Sequence, residues 1–390
     1  MKKLCSALAL AAATLLAVPA LAGDPPPPPG GAAILTWTLD QQKYGYRNME
    51  KVNPHHVVAR GDHVRALPQG EPIDPKWSWA GKDYTVDSYM AEMRTSGVLV
   101  LKDGEIVLER YGLERGPNDR WTSFSVAKSV TAILIGAALK DGHIKSLDDP
   151  VSAYIPEMKG SAYDGVSVRQ LMTMTSGVKW NEDYQDPQSD VAKVGLSILE
   201  PGVNPVVSYM RRLPREAPAG EKFVYKTGET DLAGILVSKA VGKPMSQYLS
   251  EKVWAPYGME QDAIWVDDVA GHERGGCCMS MTLRDYARIG QFMLEDGVID
   301  GERVLPEGYV ADATAEHVKL PEGAGNTGYG YFWWLMPNGY EAAGIFGQSI
   351  IVYPKERLVI AINSAWPSAD ADELWAAQAA LGRAVREAAK

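Results

Sequence analysis

The chain has 390 residues, 46% hydrophobic and 23% charged, with 39 Lys plus Arg against 49 Asp plus Glu and a net charge of −10. Such values belong to a folded globular protein and exclude a disordered, collagen-like or coiled-coil chain. An acidic balance without basic runs argues against nucleic acid as a partner, because phosphate recognition needs clustered Lys and Arg.

Residues 1–22 read as a cleaved signal peptide. Lys2 and Lys3 form a positive start, Leu4 to Val18 is apolar, and Ala20-Leu21-Ala22 offers the small residues of a cleavage site before Gly23. Pro19 and the Pro25-to-Pro29 run oppose a continuous anchoring helix. No later segment approaches the roughly 20 apolar residues that span a bilayer. The expectation is a periplasmic or secreted protein without a membrane anchor after cleavage. The mature chain keeps only Cys277 and Cys278, which are adjacent and form at best a vicinal disulfide. Their redox state and the oligomeric state stay open.

Residues 23–90 read as a Pro-rich linker and an irregular extension. Gly97–Leu101 and Glu105–Tyr111 flank Lys102-Asp103-Gly104, a hairpin signal. Ser125–Leu139 has apolar residues at helical spacing and ends at Asp141-Gly142. Shorter helices are predicted over Val168–Thr175, Val206–Leu213, Asp231–Val241, Ser246–Val253 and Leu283–Glu295. Strands return at Tyr329–Leu335, Ser349–Tyr353 and Leu358–Asn363, and an Ala-rich helix closes the chain over Ala371–Ala388. This order predicts an α/β (α+β) architecture with an antiparallel sheet flanked by helices. Residues 91–150 and 301–390 form its two parts, and residues 151–300 form an inserted, mostly helical domain.

Several catalytic signatures are missing: Gly-x-Ser-x-Gly, His-Glu-x-x-His and a phosphate loop ending in Gly-Lys-Ser/Thr. Gly323-Ala324-Gly325-Asn326-Thr327-Gly328 matches a dinucleotide pattern, but it lacks the preceding strand and following helix, so it reads as a loop. No His, Cys or carboxylate cluster has metal-ligand spacing, so neither a metal nor a cofactor is expected. The informative stretch is Trp121-Thr122-Ser123-Phe124-Ser125-Val126-Ala127-Lys128. Ser125 and Lys128 lie three apart at a helix start and share a face. A serine hydroxyl needs a base to become a nucleophile, and a desolvated lysine can serve as one.

Ser125-x-x-Lys128 is followed in order by Leu147-Asp148-Asp149-Pro150-Val151, by Ile155-Pro156-Glu157 and by Leu171-Met172-Thr173-Met174-Thr175-Ser176-Gly177. Together these resemble the serine β-lactamase/penicillin-binding-protein superfamily, in its class C-like branch, over roughly residues 90 to 385. Met174 stands where that branch often has His. The resemblance implies a β-lactamase-like fold and a Tyr-x-Asn motif, matched by Tyr225-Lys226-Thr227. Tyr225 would then be the third catalytic residue, losing its proton beside Lys128 or relaying one. Thr227, in place of the Asn, would touch substrate. The third motif, Lys-Thr-Gly or His-x-Gly on an edge strand, falls on Ala342-Ala343-Gly344 without its cation. It implies an oxyanion hole from the backbone N–H groups of Ser125 and Ile345, with Gln348 as an alternative donor.

Gly344-Ile345-Phe346-Gly347-Gln348 and Tyr329-Gly330-Tyr331-Phe332-Trp333-Trp334 most resemble the 6-aminohexanoate-dimer hydrolase group. That implies short linear amides or carboxyl esters as small-molecule substrates and a leaving-group contact from Tyr184. Trp180, Trp333 and Trp334 are candidates to wall the cleft, with core packing as the alternative for each. The expected function is an exported serine hydrolase acting through an acyl-enzyme. Rival readings are a β-lactamase or DD-peptidase and, in another class, a non-catalytic protein that binds cell-wall fragments.

Overall fold

The computed structural model describes residues 27–390 except 197 and 198, so the expected signal peptide lies outside the described residues. In chain order, α1 (Leu39–Arg47), β1 (His55–Val58), the hairpin β2 (Lys76–Trp79) and β3 (Lys82–Thr85), and α2 (Val86–Glu92) come first. The hairpin β4 (Thr95–Lys102) and β5 (Glu105–Tyr111) follows, then β6 (Trp121–Thr122) and α3 (Val126–Lys140). Asp103 and Gly104 both have positive φ, as a two-residue Asp-Gly loop requires. The middle holds α4 (Val151–Tyr154), α5 (Val168–Met172), α6 (Asp190–Lys193), α7 (Pro205–Met210), α8 (Thr227–Val241) and α9 (Met245–Leu249). Strands β7 (Ala263–Val266) and β8 (Met279–Met281) lead to α10 (Leu283–Leu294). After β9 (Val298–Ile299), β10 (Glu302–Arg303) and α11 (Tyr309–Ala313), the remaining strands are β11 (Val318–Lys319), β12 (Gly328–Tyr329), β13 (Trp334–Met336), β14 (Gly339–Gly344), β15 (Gln348–Tyr353) and β16 (Leu358–Ser364); α12 (Asp372–Ala388) closes.

Both ends of the chain build one antiparallel sheet in the order β11-β12-β13-β14-β15-β16-β4-β5. Its two faces are buried by different layers, which is why β16 is apolar without alternation. Leu99, Val359 and Ala361 face α3 and α10, whereas Val98, Leu358, Ile360 and Ile362 face α2 and α12. Helix α3 is apolar nearly all round and buried from Val126 to Ala138. A helix of that kind must be surrounded, and it lies between the sheet and α8.

The structure departs from the sequence reading at several places. The expected strand Tyr329–Leu335 is two short strands, β12 and β13, joined by a turn in which the Gly330 N–H donates to Trp333 O at 2.8 Å. Gly330 is required there, because a Cβ would stand 2.1 Å from Ala313 O. Helix α5 stops at Met172, short of Thr175, because Met174 takes a positive φ of 55°. Helix α8 begins at Thr227, four residues before the expected start. Finally, short helices and strands occupy residues 31–58 and 76–92 within the expected extension, whereas 59–75 hold only an isolated bridge at Gln69. Trp37, Tyr46 and Met49 form a buried cluster with Trp121, Phe124 and Phe346, and β1 pairs with β7.

Candidate active site

Ser125 caps the N-terminus of α3 and is nearly buried. The residue before it, Phe124, has φ of 43°, a left-handed conformation that costs a non-glycine residue on the order of 1–3 kcal/mol. Packing sustains it: the Phe124 ring lies 5.3 Å from both Tyr46 and Phe346. One turn into α3, the Lys128 Nζ lies 2.9 Å from Ser125 Oγ, 3.0 Å from Thr227 Oγ1 and 2.7 Å from the Gly276 carbonyl. Lys128 is only 1% exposed. Burial pushes its pKa down to about 8, against the carboxylates of Glu182 and Asp231, which pull it up. A usable fraction of neutral amine is therefore present near neutral pH.

Tyr225 precedes α8 and places its ring 5.1 Å below the Lys128 ammonium, with its hydroxyl near enough to Ser125 for that side chain to lower its pKa. Burial, and after it the Glu182 carboxylate, raise its pKa, and the contact with Ser125 only partly opposes this. Of the two roles expected for Tyr225, these surroundings favour the relay of a proton over ready ionisation. Its ring stacks on Trp334 at 5.3 Å and 21°.

The other predicted residues divide. Thr227 does not present its hydroxyl as a free substrate contact; that oxygen is committed to Lys128 and Glu182. Thr227 is the first residue of α8. The Tyr184 hydroxyl and the Trp180 Nε1 also meet at Glu182. Trp333 does not wall the cleft. It is fully buried against Tyr340 at 5.2 Å, and its neighbour Trp334 takes the cleft position because the Gly330 turn sets the register.

Strand β14 is internal, between β13 and β15, rather than the edge strand that the third motif implied. Gly344 at its end approaches the serine closely: a Cβ there would lie 2.4 Å from Ser123 O and 3.0 Å from Ser125 N. Ile345 is the next residue in the chain. Gln348 pairs with Gly344 in the ladder, and its side-chain amide donates to Phe346 O and Ser364 O, bracing the turn. Ala342, aligned with the missing cation, points into the core at 1% exposure.

Two participants escaped the sequence reading: Glu182 and the Gly276 carbonyl. The Asp231 carboxylate fixes the latter by accepting from the Gly276 N–H and from Arg274, both at 2.8 Å. Cys277 and Cys278, joined as a disulfide, follow directly. Among the described residues no group of three or more His, Cys, Asp or Glu side chains is placed to hold a metal ion. The arrangement can deprotonate a serine hydroxyl and pass a proton through a phenol, and it brings Gly344, the residue before Ile345, against the Ser125 amide.

Comparison with known proteins gives this geometry its relatives. The family model described as Beta-lactamase matches residues 83–383. The 6-aminohexanoate-dimer hydrolase of Paenarthrobacter ureafaciens is 31% identical over 350 residues, 84% of this chain and 86% of that one. A beta-lactamase of Pseudomonas fluorescens is 26% identical over 56% of this chain and 58% of its own. The solved structure of a Bacillus anthracis chain, itself provisionally assigned as a 6-aminohexanoate-dimer hydrolase, superposes with a TM-score of 0.81 at 23% identity. That match covers 92% of this chain and 98% of the other, and it carries the fold. With its β-lactamase-like fold, the chain belongs to the beta-lactamase family of serine hydrolases and is related to 6-aminohexanoate-dimer hydrolase.

Proposed function

We propose that the protein hydrolyses carboxyl esters or short linear amides through an acyl-enzyme on Ser125. Lys128 takes the Ser125 proton as Oγ bonds to the substrate carbonyl carbon. The N–H groups of Ser125 and Ile345 receive the developing oxyanion. Tyr225 passes the proton to the leaving alcohol or amine as its bond to carbon breaks. Water then repeats the sequence in reverse and frees the acid. The observation that carries this reading is the buried Lys128 amine 2.9 Å from Ser125 Oγ, its pKa lowered to about 8.

A preference for esters and linear amides over β-lactams has two supports. A fixed cation at the third motif would contribute a charge-assisted hydrogen bond of roughly 1.5–3 kcal/mol to a substrate carboxylate, and Ala342 supplies none. Thr227, occupied by Lys128 and Glu182, is not free to hold an amide side chain. The ring face of Trp334, stacked on Tyr225, suits a neutral acyl or leaving group instead. Export is part of the same proposal and rests on Lys2, Lys3 and the apolar run before Ala22.

The test is intact-mass spectrometry and turnover with p-nitrophenyl esters, linear amides, nitrocefin and benzylpenicillin. Acylation at Ser125 with esters or linear amides hydrolysed far faster than either β-lactam is the expected result. Efficient penicillin hydrolysis would remove the ester preference. A wild-type protein that a fluorophosphonate leaves unlabelled would point to the binding-protein reading. N-terminal sequencing of protein from the periplasm or medium should begin at Gly23.

A further inference from the structure

Glu182 belongs to none of the motifs, yet its carboxylate collects four donors. Oε1 accepts from the Tyr184 hydroxyl at 2.9 Å and from the Thr227 hydroxyl, and Oε2 accepts from the Thr227 backbone N–H at 3.0 Å and from Trp180 Nε1. An ionised carboxylate accepts only. The single proton of the Thr227 hydroxyl is therefore drawn to Glu182, which leaves the oxygen lone pairs to face Lys128 Nζ at 3.0 Å. The Gly276 carbonyl, 2.7 Å from the same nitrogen, also accepts only.

A neutral amine has two hydrogens and one lone pair. With the hydrogens drawn to Thr227 and Gly276, the lone pair is left for the Ser125 hydroxyl at 2.9 Å. Without Glu182, the Thr227 hydroxyl is free to turn and donate to Lys128, occupying the lone pair that the serine needs.

We infer that Glu182 is a positioning residue for the base: it acts through Thr227 to aim the Lys128 lone pair at Ser125. The inference rests on the hydrolase reading above. Lys128 is faced from the Trp180–Tyr184 segment by Glu182, from α8 by Asp231, from the segment before β8 by Arg274, and by the Tyr225 ring. Glu182 is thus one of two carboxylates that keep its pKa from falling further.

Glu182→Gln makes a near-isosteric test. The amide oxygen can still accept from the Thr227 and Trp180 N–H groups, and the hydroxyls of Tyr184 and Thr227 can turn to accept from the amide nitrogen. What is lost is the acceptor-only oxygen and the charge. On p-nitrophenyl acetate, kcat should fall at least about ten-fold while KM changes less than about two-fold. The acid limb of the kcat/KM profile should move to lower pH, because removing a carboxylate lowers the pKa of a neighbouring lysine. Thr227→Val should lose a similar factor in kcat without moving that limb, and Thr227→Ser should restore the rate. The double variant Glu182→Gln/Thr227→Val should be no slower than Thr227→Val alone, since both act on one contact.

An unmoved acid limb with wild-type kcat in Glu182→Gln overturns the inference, as do losses that multiply in the double variant. If Glu182→Gln does not fold, equal rates for Thr227→Val and Thr227→Ser overturn it. Fluorophosphonate labelling of wild-type Ser125 separates the two levels. Labelled wild type with a failed Glu182 test sinks this inference alone, and unlabelled wild type sinks the hydrolase reading and the inference with it.

Discussion

At Ser125 one oxygen atom carries the proposed chemistry and little of the fold. It is a small side chain at a helix start, so Ser125→Ala should leave the circular dichroism spectrum unchanged. Loss of the nucleophile of a covalent mechanism costs several orders of magnitude. Retention of more than about a tenth of wild-type turnover would place the nucleophile elsewhere. Lys128 sets the pH response. As a base it must be neutral, and its pKa is lowered to about 8 by burial. Activity is therefore suppressed below that pKa, where the amine is protonated, and rises as pH climbs through it. Tyr225, its pKa raised by burial, stays protonated over the same range and adds no falling limb there. A kcat/KM profile on a neutral ester should show a single rise centred near pH 8; a profile flat from pH 6 to 9 would remove Lys128 as the base.

At the scale of elements, α8 holds the second motif by its first turn. Lys226, between Tyr225 and Thr227, turns away from the cleft and pairs with Glu229 at 3.3 Å, both fully buried. Glu229 also accepts from Tyr163 and Ser176. A buried pair is weak evidence of net stability, but removing one partner strands the other and costs about 3–5 kcal/mol. Lys226→Met should lower unfolding stability by that amount in a urea titration, with activity falling as the α8 start loosens. A loss below about 1 kcal/mol would mean that Glu229 finds protonation or water instead. The Lys226–Glu229 pair and the capping box Thr38-x-x-Gln41 that starts α1 each join residues three apart. The break between β12 and β13 depends instead on the carbonyl of Ala313, seventeen residues before Gly330.

Across the whole molecule, the N-terminal segment buttresses the nucleophile from outside the hydrolase core. Tyr46 is fully buried and meets Trp121, Phe124 and Phe346, the last two flanking Ser125 and Ile345 in sequence. Tyr46→Ala should destabilise by about 3–5 kcal/mol, the usual cost of emptying a large aromatic site. It should also lower kcat more than it changes KM, since Phe124 loses the packing that holds its left-handed backbone. Wild-type kcat in a destabilised Tyr46→Ala protein would show that the segment supports the fold alone.

Sequence by itself determined whatever depends on near neighbours. The Ser125/Lys128 pair is legible because three residues on a helix share a face. The β4–β5 hairpin is legible from Asp103-Gly104, and the buried sheet from unbroken apolar runs such as Leu358–Ile362. Only the tertiary structure decided what depends on groups far apart in the chain. Glu182, Thr227, Gly276 and Lys128 come from four separate segments, and no spacing brings their oxygens and nitrogen to one point. Trp333 and Trp334 are adjacent and alike, and a turn fixed by a distant carbonyl sends one to the core and the other to the cleft. Long-range packing also set the titration of Tyr225, because burial is a property of the folded surroundings and not of the residues beside it.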